Sequence, residues 1–316
     1  MRVSHLQQHQ SFVRDVEQRL YNMTRIQQEL GTGKSLFQPS EDVVSADKAL
    51  NARSQLESIA QYQRNIENGQ GFVSAADGKL TSIVDLINEI DALALSVDND
   101  HATAEDRTFA AQELNQKLES LMEYANAQFG DRYLFAGHGT LQSPFEIERD
   151  ENGLITNVTA ASESIEGKIY RTIDEGENVA INVTGDRIFQ PTGEENTASD
   201  LFYVIRNLRD TIANDNTPPD GEEETLSTHA LRANLDDIRN RIVEQQTYLG
   251  SLGQRLNNKL AELSASKIDW TDRLENAQGA EMTDLVSRLA VEEGVYNALV
   301  AIQSRVLNRS LIDYLG

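Results

Sequence analysis

Residues 29–42 read Glu29-Leu30-Gly31-Thr32-Gly33-Lys34-Ser35-Leu36-Phe37-Gln38-Pro39-Ser40-Glu41-Asp42, and Gly33-Lys34-Ser35 looks like the end of a phosphate-binding loop. Such a loop requires G-x-x-x-x-G-K-[ST] between a strand and a helix, so that backbone N–H groups surround the phosphates. Its first glycine would fall at position 28, which is Gln28. The flank is also wrong. Leu6, Val13 and Leu20 recur every seven residues, and Val16, Met23 and Leu30 do the same, offset by three. This spacing predicts a helix from about Ser4 to Leu30 with an apolar seam, interrupted at His9 and Gln27. Gly31 and Gly33 then stand just past a helix end, and Ser40 with Glu41 and Asp42 opens the next helix. The stretch therefore reads as a helix–loop–helix connection.

Working outward, a second helical region continues to about Val97. One seam row is steadily apolar: Ile59, Ile66, Val73, Leu80, Ile87 and Ala94. The other drifts: Leu56, Gln63, Gln70, Asp77, Val84 and Asp91. Gly69, Gly71 and Gly78 are costly inside a helix and predict a bend or a close approach. Asp98-Asn99-Asp100 ends the region and lacks the Gly and final Glu of a calcium loop. Thr103 to Asp106 has the form of a capping box, opening a third helix with Leu114, Leu118, Leu121 and Ala125 that ends near Gly130.

From Tyr133 to Phe189 the period changes to two. Phe145 and Ile147, an Asn152-Gly153 turn and Leu154 to Val158 predict one hairpin. Ile169 to Ile173, a turn at Asp174 to Glu177, and Val179 to Val183 predict another, and Gly185-Asp186 turns into a strand at Ile188 and Phe189. Helix returns at Asp200 with Leu201, Val204, Ile205, Leu208 and Ile212. After a loop at Pro218-Pro219 and a run of acids at Glu222 to Glu224, the longest helix carries Leu235, Ile238, Ile242, Gln245, Leu249, Leu252, Leu256, Lys259, Leu263, Ser266 and Trp270 at heptad spacing. The last helix carries Met282, Leu285, Leu289, Tyr296, Leu299, Ile302 and Val306 and ends beyond Leu311.

The expected fold is mainly α with a β insertion: a long helical coiled-coil or bundle rod formed by the N- and C-terminal segments, plus a small antiparallel β-domain. Residues 1–42 with 277–316 form a terminal coiled-coil domain, 43–130 with 200–276 a helical rod, and 131–199 the inserted β-domain. Isolated, each terminal stripe exposes more apolar surface than it can bury. The simplest use is to pack the N-terminal helix on the C-terminal one, and the pair on other subunits. The candidate assembly interface is Leu6, Val13, Leu20, Met23, Leu285, Leu289, Tyr296, Leu299, Val306 and Leu311.

Composition narrows the function. Among 316 residues, 51 acids oppose 28 bases for a net charge of −23, a surface that repels nucleic acid and anionic lipid. Cysteine is absent, which removes disulfides, thiolate nucleophiles and Cys-zinc sites. The start MRVSHLQQHQSF has no apolar core of a cleaved signal peptide, and no apolar run has spanning length. The five His, at 5, 9, 101, 138 and 229, form no H-E-x-x-H, and no G-x-S-x-G occurs. His5 and His9 stand four apart, but His9 belongs to the apolar row. The expectation is a non-enzyme with no catalytic, cofactor or metal residues and with no nucleic-acid or membrane partner.

Four segments carry a resemblance: ELGTGKSLFQPSED at 29–42; Gln63-Arg64-Asn65-Ile66-Glu67-Asn68-Gly69 with Asp77-Gly78-Lys79-Leu80; Asp131-Arg132-Tyr133-Leu134-Phe135-Ala136-Gly137 with Pro144-Phe145; and Ser310-Leu311-Ile312-Asp313-Tyr314-Leu315. Together they resemble the flagellin superfamily, and within it the hook–filament junction proteins more than flagellin itself. Gly31 stands where Ser is usual, and Val43 where Pro is usual. The resemblance implies a secreted structural subunit of the bacterial flagellum, exported by the flagellar type III apparatus and serving motility. It implies as partners hook-associated protein 1, flagellin, copies of itself in a ring and, before assembly, a cytoplasmic export chaperone. A minor flagellin, a filament subunit, is the alternative.

Overall fold

The computed structural model describes residues 2–98, 102–151, 153–160, 165–218 and 225–315; the side chains of 2–6, 8, 9 and 304–315 lie outside that description. The elements in order are α1 (Arg2–Thr32), α2 (Val43–Val97), α3 (Ala104–Ala125), β1 (Gln128–Phe129), β2 (Arg132–Tyr133), β3 (Phe145–Arg149), β4 (Ile155–Ala160), β5 (Tyr170–Asp174), β6 (Glu177–Ala180), α4 (Gly185–Ile188), α5 (Leu201–Ala213), α6 (Thr228–Gln278) and α7 (Met282–Leu315). The mainly helical fold with small antiparallel sheets is as expected. The strands form three separate two-stranded sheets, β1–β2, β3–β4 and β5–β6. Two compact units arise, one from residues 1–58 and 265–316, the other from 59–264.

In the larger unit the apolar row of α2 is buried from Ile59 to Ala94, and so are Leu235, Ile242, Leu249, Leu256 and Leu263 of α6. The drifting row on α2 now has a cause. Gln63 donates to Ser264 (3.3 Å), Gln70 to Asn257 (2.7 Å), and Arg232 pairs with Asp91 (2.7 Å). Thr81 accepts from Gln246 and Asn88 from Arg239. As numbers rise on α2 they fall on α6 in equal steps, so the helices run antiparallel and side-chain hydrogen bonds mark their register. Gly69 and Gly71 are close approaches: an added Cβ would stand 3.2 Å from Ile181 and 2.8 Å from the Phe129 ring. Gly78 meets nothing, and no packing reason for it is found.

α3 opens with the predicted capping box, Thr103 and Asp106 bonding each other's backbone N–H. It stops at Ala125, earlier than Gly130, because Asn126 leaves helical geometry and bonds Phe145 (3.1 Å) while Gly130, at φ +64, turns β1 into β2. α3 packs on α5, and the buried Arg209 donates to Asn115 (2.8 Å) and to the Ile155 carbonyl (2.9 Å). β3 pairs with β4 in the register Ile147 opposite Val158. Phe135, Phe145, Phe189 and Phe202 form one buried aromatic cluster with centroids 5.2–5.6 Å apart.

The strand expected at Ile188 and Phe189 is a helical turn instead: Phe189 N–H bonds Gly185 O at 2.9 Å, and this points both side chains into the core. α5 starts where helix was expected to return, and Asp200 caps it, accepting from Phe202 and Tyr203 N–H. α6, expected to be the longest helix, has 51 residues and is second to α2 with 55. Asn99 to His101, Asn152, Pro219 and Glu222 to Glu224, singled out above, lie outside the described residues.

Candidate assembly interface

The decisive loop closes the smaller unit. α1 runs through Gly31 and stops at Thr32; Gly33, at φ +68, donates its N–H to the Glu29 carbonyl at 2.8 Å. Only Gly33 is the terminator, since the left-handed conformation carries no penalty where there is no Cβ. Beyond it, Lys34 pairs with Gly279 in an antiparallel bridge. Ser35 N–H donates to Gln278 O (2.8 Å), Ala280 N–H to Gly33 O (3.0 Å), and the Ser35 hydroxyl to the carbonyls of Gln278 and Gly279. GTGKS is thus a clasp onto the α6–α7 connection, and its Ser35 N–H and hydroxyl are spent there. Arg53 adds a bond to the Gln278 side chain.

Arg25 bonds the buried Glu29 (3.0 Å) and stands 3.5 Å from Glu41, which ties the end of α1 to the loop. The helix expected to open at Ser40 is capped instead by Asp42, which accepts from Val44 and Ser45 N–H at 3.0 and 3.1 Å. Those bonds, led by the Ser45 hydroxyl, hold the Asp42 carboxyl below its ordinary value. With Val43 at the first helical position in place of proline, the cap depends on this side chain.

The clasp sets α1 antiparallel to α7, and the two pack along their length. Arg19 donates to both oxygens of Glu292 (3.1 and 2.9 Å), and Asn22 adds a third bond at 3.2 Å. These bonds, Arg19 first, pull the Glu292 carboxyl below its usual range. The covered face of α1 is Phe12, Val16, Arg19, Met23, Ile26 and Leu30; that of α7 includes Leu285, Leu289, Val295, Tyr296 and Leu299. The expected seam on α1 was therefore half right. The row Val16, Met23, Leu30 is shared, but its companion row is 12, 19, 26, not 13, 20, 27.

The structure brings together Met23, Leu285, Leu289, Tyr296 and Leu299 in the intrachain pair. It leaves Val13 and Leu20 outside it, 39% and 45% exposed. The side chains of Leu6, Val306 and Leu311, and of His5 and His9, lie outside the described residues. Sequence reasoning missed Phe12, Arg19, Ile26 and Glu292. The signal was present, since 12, 19 and 26 form a heptad row one residue before 13 and 20. α1 thus carries adjacent stripes: one faces α7, and the other, with Tyr21, is open. On α7 the large apolar residues Met282, Val286, Val291, Val300 and Ile302 are likewise exposed.

Charge separates the two units. The 110 residues of the smaller one carry 12 basic and 15 acidic side chains, net −3; the other 206 carry 16 and 36, net −20. Close packing between like units is opposed by self-repulsion in the second case and hardly at all in the first. Among the described residues no group of three or more His, Asp or Glu could hold a metal ion, and no helix is long and apolar enough to cross a membrane.

Residues 3–140 match the family described as the bacterial flagellin N-terminal helical region. The chain is 24% identical over 299 residues to flagellar hook-associated protein 3 of Escherichia coli (strain K12), covering 90% of this chain and 88% of that one. It is 23% identical over 272 residues to a flagellar filament 30.7 kDa core protein of Treponema maltophilum, covering 83% and 79%. In fold it is similar to the crystal structure of the flagellar junction protein FlgL from Legionella pneumophila, with a TM-score of 0.54 at 15% identity, covering 75% of this chain and all of that one. The match to the flagellin N-terminal helical region, the likeness to flagellar hook-associated protein 3 over nine-tenths of the chain and the shared helical fold agree: the chain is similar throughout to flagellar hook-associated protein 3.

Proposed function

We propose that the protein is a structural subunit of the bacterial flagellum that joins hook to filament and polymerises through its terminal helices. The observation that carries this reading is the unit built from both chain ends. It is nearly neutral, its two terminal helices are already paired, and Val13, Leu20, Val286 and Val300 remain exposed beside that pair. A helix pair closed on one side and apolar on the other suits packing against further helices. In this reading residues 1–42 with 277–316 are the assembly domain, 43–130 with 200–276 the rod, and 131–199 an outward β-domain. Hook-associated protein 1, flagellin and further copies in a ring are the neighbours. A cytoplasmic chaperone covers the α7 stripe before type III export to the cell exterior.

The test is immunogold electron microscopy of intact flagella with antibody against residues 140–195. A narrow band at the hook–filament boundary is expected. Label along the whole filament would overturn the junction role in favour of a minor flagellin, the reading that similarity to a filament core protein favours.

A further inference from the structure

In residues 59–264 the 16 basic side chains are largely engaged where they stand. Arg149 pairs with Glu119, Arg232 with Asp91, Arg255 with Glu177 and Lys259 with Asp174. Arg206 and Arg241 are turned onto backbone carbonyls. The 36 acids outnumber them too far for such pairs to cancel. Glu67, Glu113, Glu123, Glu146, Glu148 and Glu175 are exposed, and none forms an ion pair among the described residues. They stand on α2, α3, β3 and the β5–β6 turn, so the excess is spread over the unit and not gathered at one site.

Salt acts on such a unit in two opposed ways. Screening weakens the ion pairs, but pairs near the surface contribute little each. Screening also relieves the repulsion among unpaired carboxylates, which grows as the square of the net charge. At −20 the second effect is the larger; at the −3 of the smaller unit neither has much to act on. We propose that the larger unit is salt-gated: its helices and hairpins close fully only where dissolved cations screen the acidic surface, and they loosen as the medium becomes dilute. The smaller unit, with the terminal helices, does not share this response. The gate is independent of where in the flagellum the chain sits.

The test is hydrogen-exchange mass spectrometry of the full chain at fixed pH, between about 0.02 M and about 1 M NaCl. Protection of amides in 59–264 is expected to rise roughly tenfold or more with salt. Peptides from 1–58 and 265–316 are the internal control and should change far less. A fall in 59–264 would mean that the ion pairs govern, and would overturn the proposal. An equal rise in both units would mean general salting-out, and would overturn it too. Replacing all six unpaired acids by Gln, from Glu67→Gln to Glu175→Gln, takes the net charge of 59–264 from −20 to −14. The salt response should then shrink to roughly half, and protection in dilute salt should exceed that of the native chain. An undiminished response rejects net charge as the cause. Immunogold labelling reads the junction role separately: a boundary band with a flat salt response rejects only the gate.

Discussion

Leu20→Asp and Leu285→Ala should separate assembly from folding. Leu285 is 3% exposed against α1, and removing a buried leucine side chain costs about 2–5 kcal/mol, a large part of the stability of a domain this size. Leu20 is 45% exposed, so Asp there costs the monomer about 0.5 kcal/mol in helix propensity and little else. In an assembly that covers Leu20 the cost differs. Burying its exposed portion is worth about 1 kcal/mol. A carboxylate in that place adds a desolvation penalty of about 3 kcal/mol or more. The total of about 4 kcal/mol weakens each contact roughly 1,000-fold. Urea titration followed by Trp270 emission reads the smaller unit directly, because the chain has no other tryptophan. Leu285→Ala should move the midpoint strongly and Leu20→Asp hardly at all, yet Leu20→Asp should not enter flagella. Normal incorporation of Leu20→Asp, or a Leu20→Asp monomer as unstable as Leu285→Ala, would refute the assignment of the two faces.

Gly33→Ala puts a Cβ at φ +68, so the smaller unit should lose about 1–2 kcal/mol in the same titration, while Gly33→Asn should recover much of it because the surrounding space is open. Gly185→Ala would bring a Cβ to 2.8 Å from the Phe135 carbonyl and 3.1 Å from the Phe145 ring; a loss of about 1–3 kcal/mol is expected in circular-dichroism melts. The β5–β6 hairpin is held to α6 by Lys259 with Asp174, by Arg255 with Glu177 (2.5 Å), and to α2 by Asn65 on the Thr172 carbonyl (2.8 Å). Lys259, bonding Asp174, keeps that carboxyl below its unfolded value of 3.8, so its contribution is present above that pH and is lost as pH falls through the lower folded value. Lys259 is raised by the same bond, so its contribution is complete below its unfolded value of 10.5 and fades as pH rises through the higher folded one. Protection factors of the hairpin amides, taken against the intrinsic exchange rate at each pH, should therefore fall at both extremes in the native chain, and Lys259→Met should flatten both limbs.

Much of the helical layout was legible because heptad rows are local. The row Ile59 to Ala94 on α2 and the row Leu235 to Leu263 on α6 announce buried faces wherever those faces point. The capping box at Thr103, the cap at Asp200 and the hairpin turns are similarly short-range. The drifting row on α2 was not legible. Whether Gln63 and Gln70 break a seam or mark its register depends on what stands opposite, and Ser264 and Asn257 are some 200 residues away. The turn at Gly185 failed for a related reason: alternation from Val179 to Phe189 suits a strand, but the Phe cluster needs residues 188 and 189 turned together into the core.

For the candidate site, the sequence by itself determined that both chain ends are amphipathic helices, that GTGKS is a connection, and that the chain carries segments resembling those of the hook–filament junction proteins. Those are matters of residue type and spacing. Only the tertiary structure decided which stripe of α1 meets α7. Rows 12, 19, 26 and 13, 20, 27 lie about 100° apart on the same helix and share Val16, Met23 and Leu30 between them. The clasp of residues 33–35 on 278–280 and the Arg19–Glu292 pair rotate the helix to one of these faces, and no local pattern contains that choice.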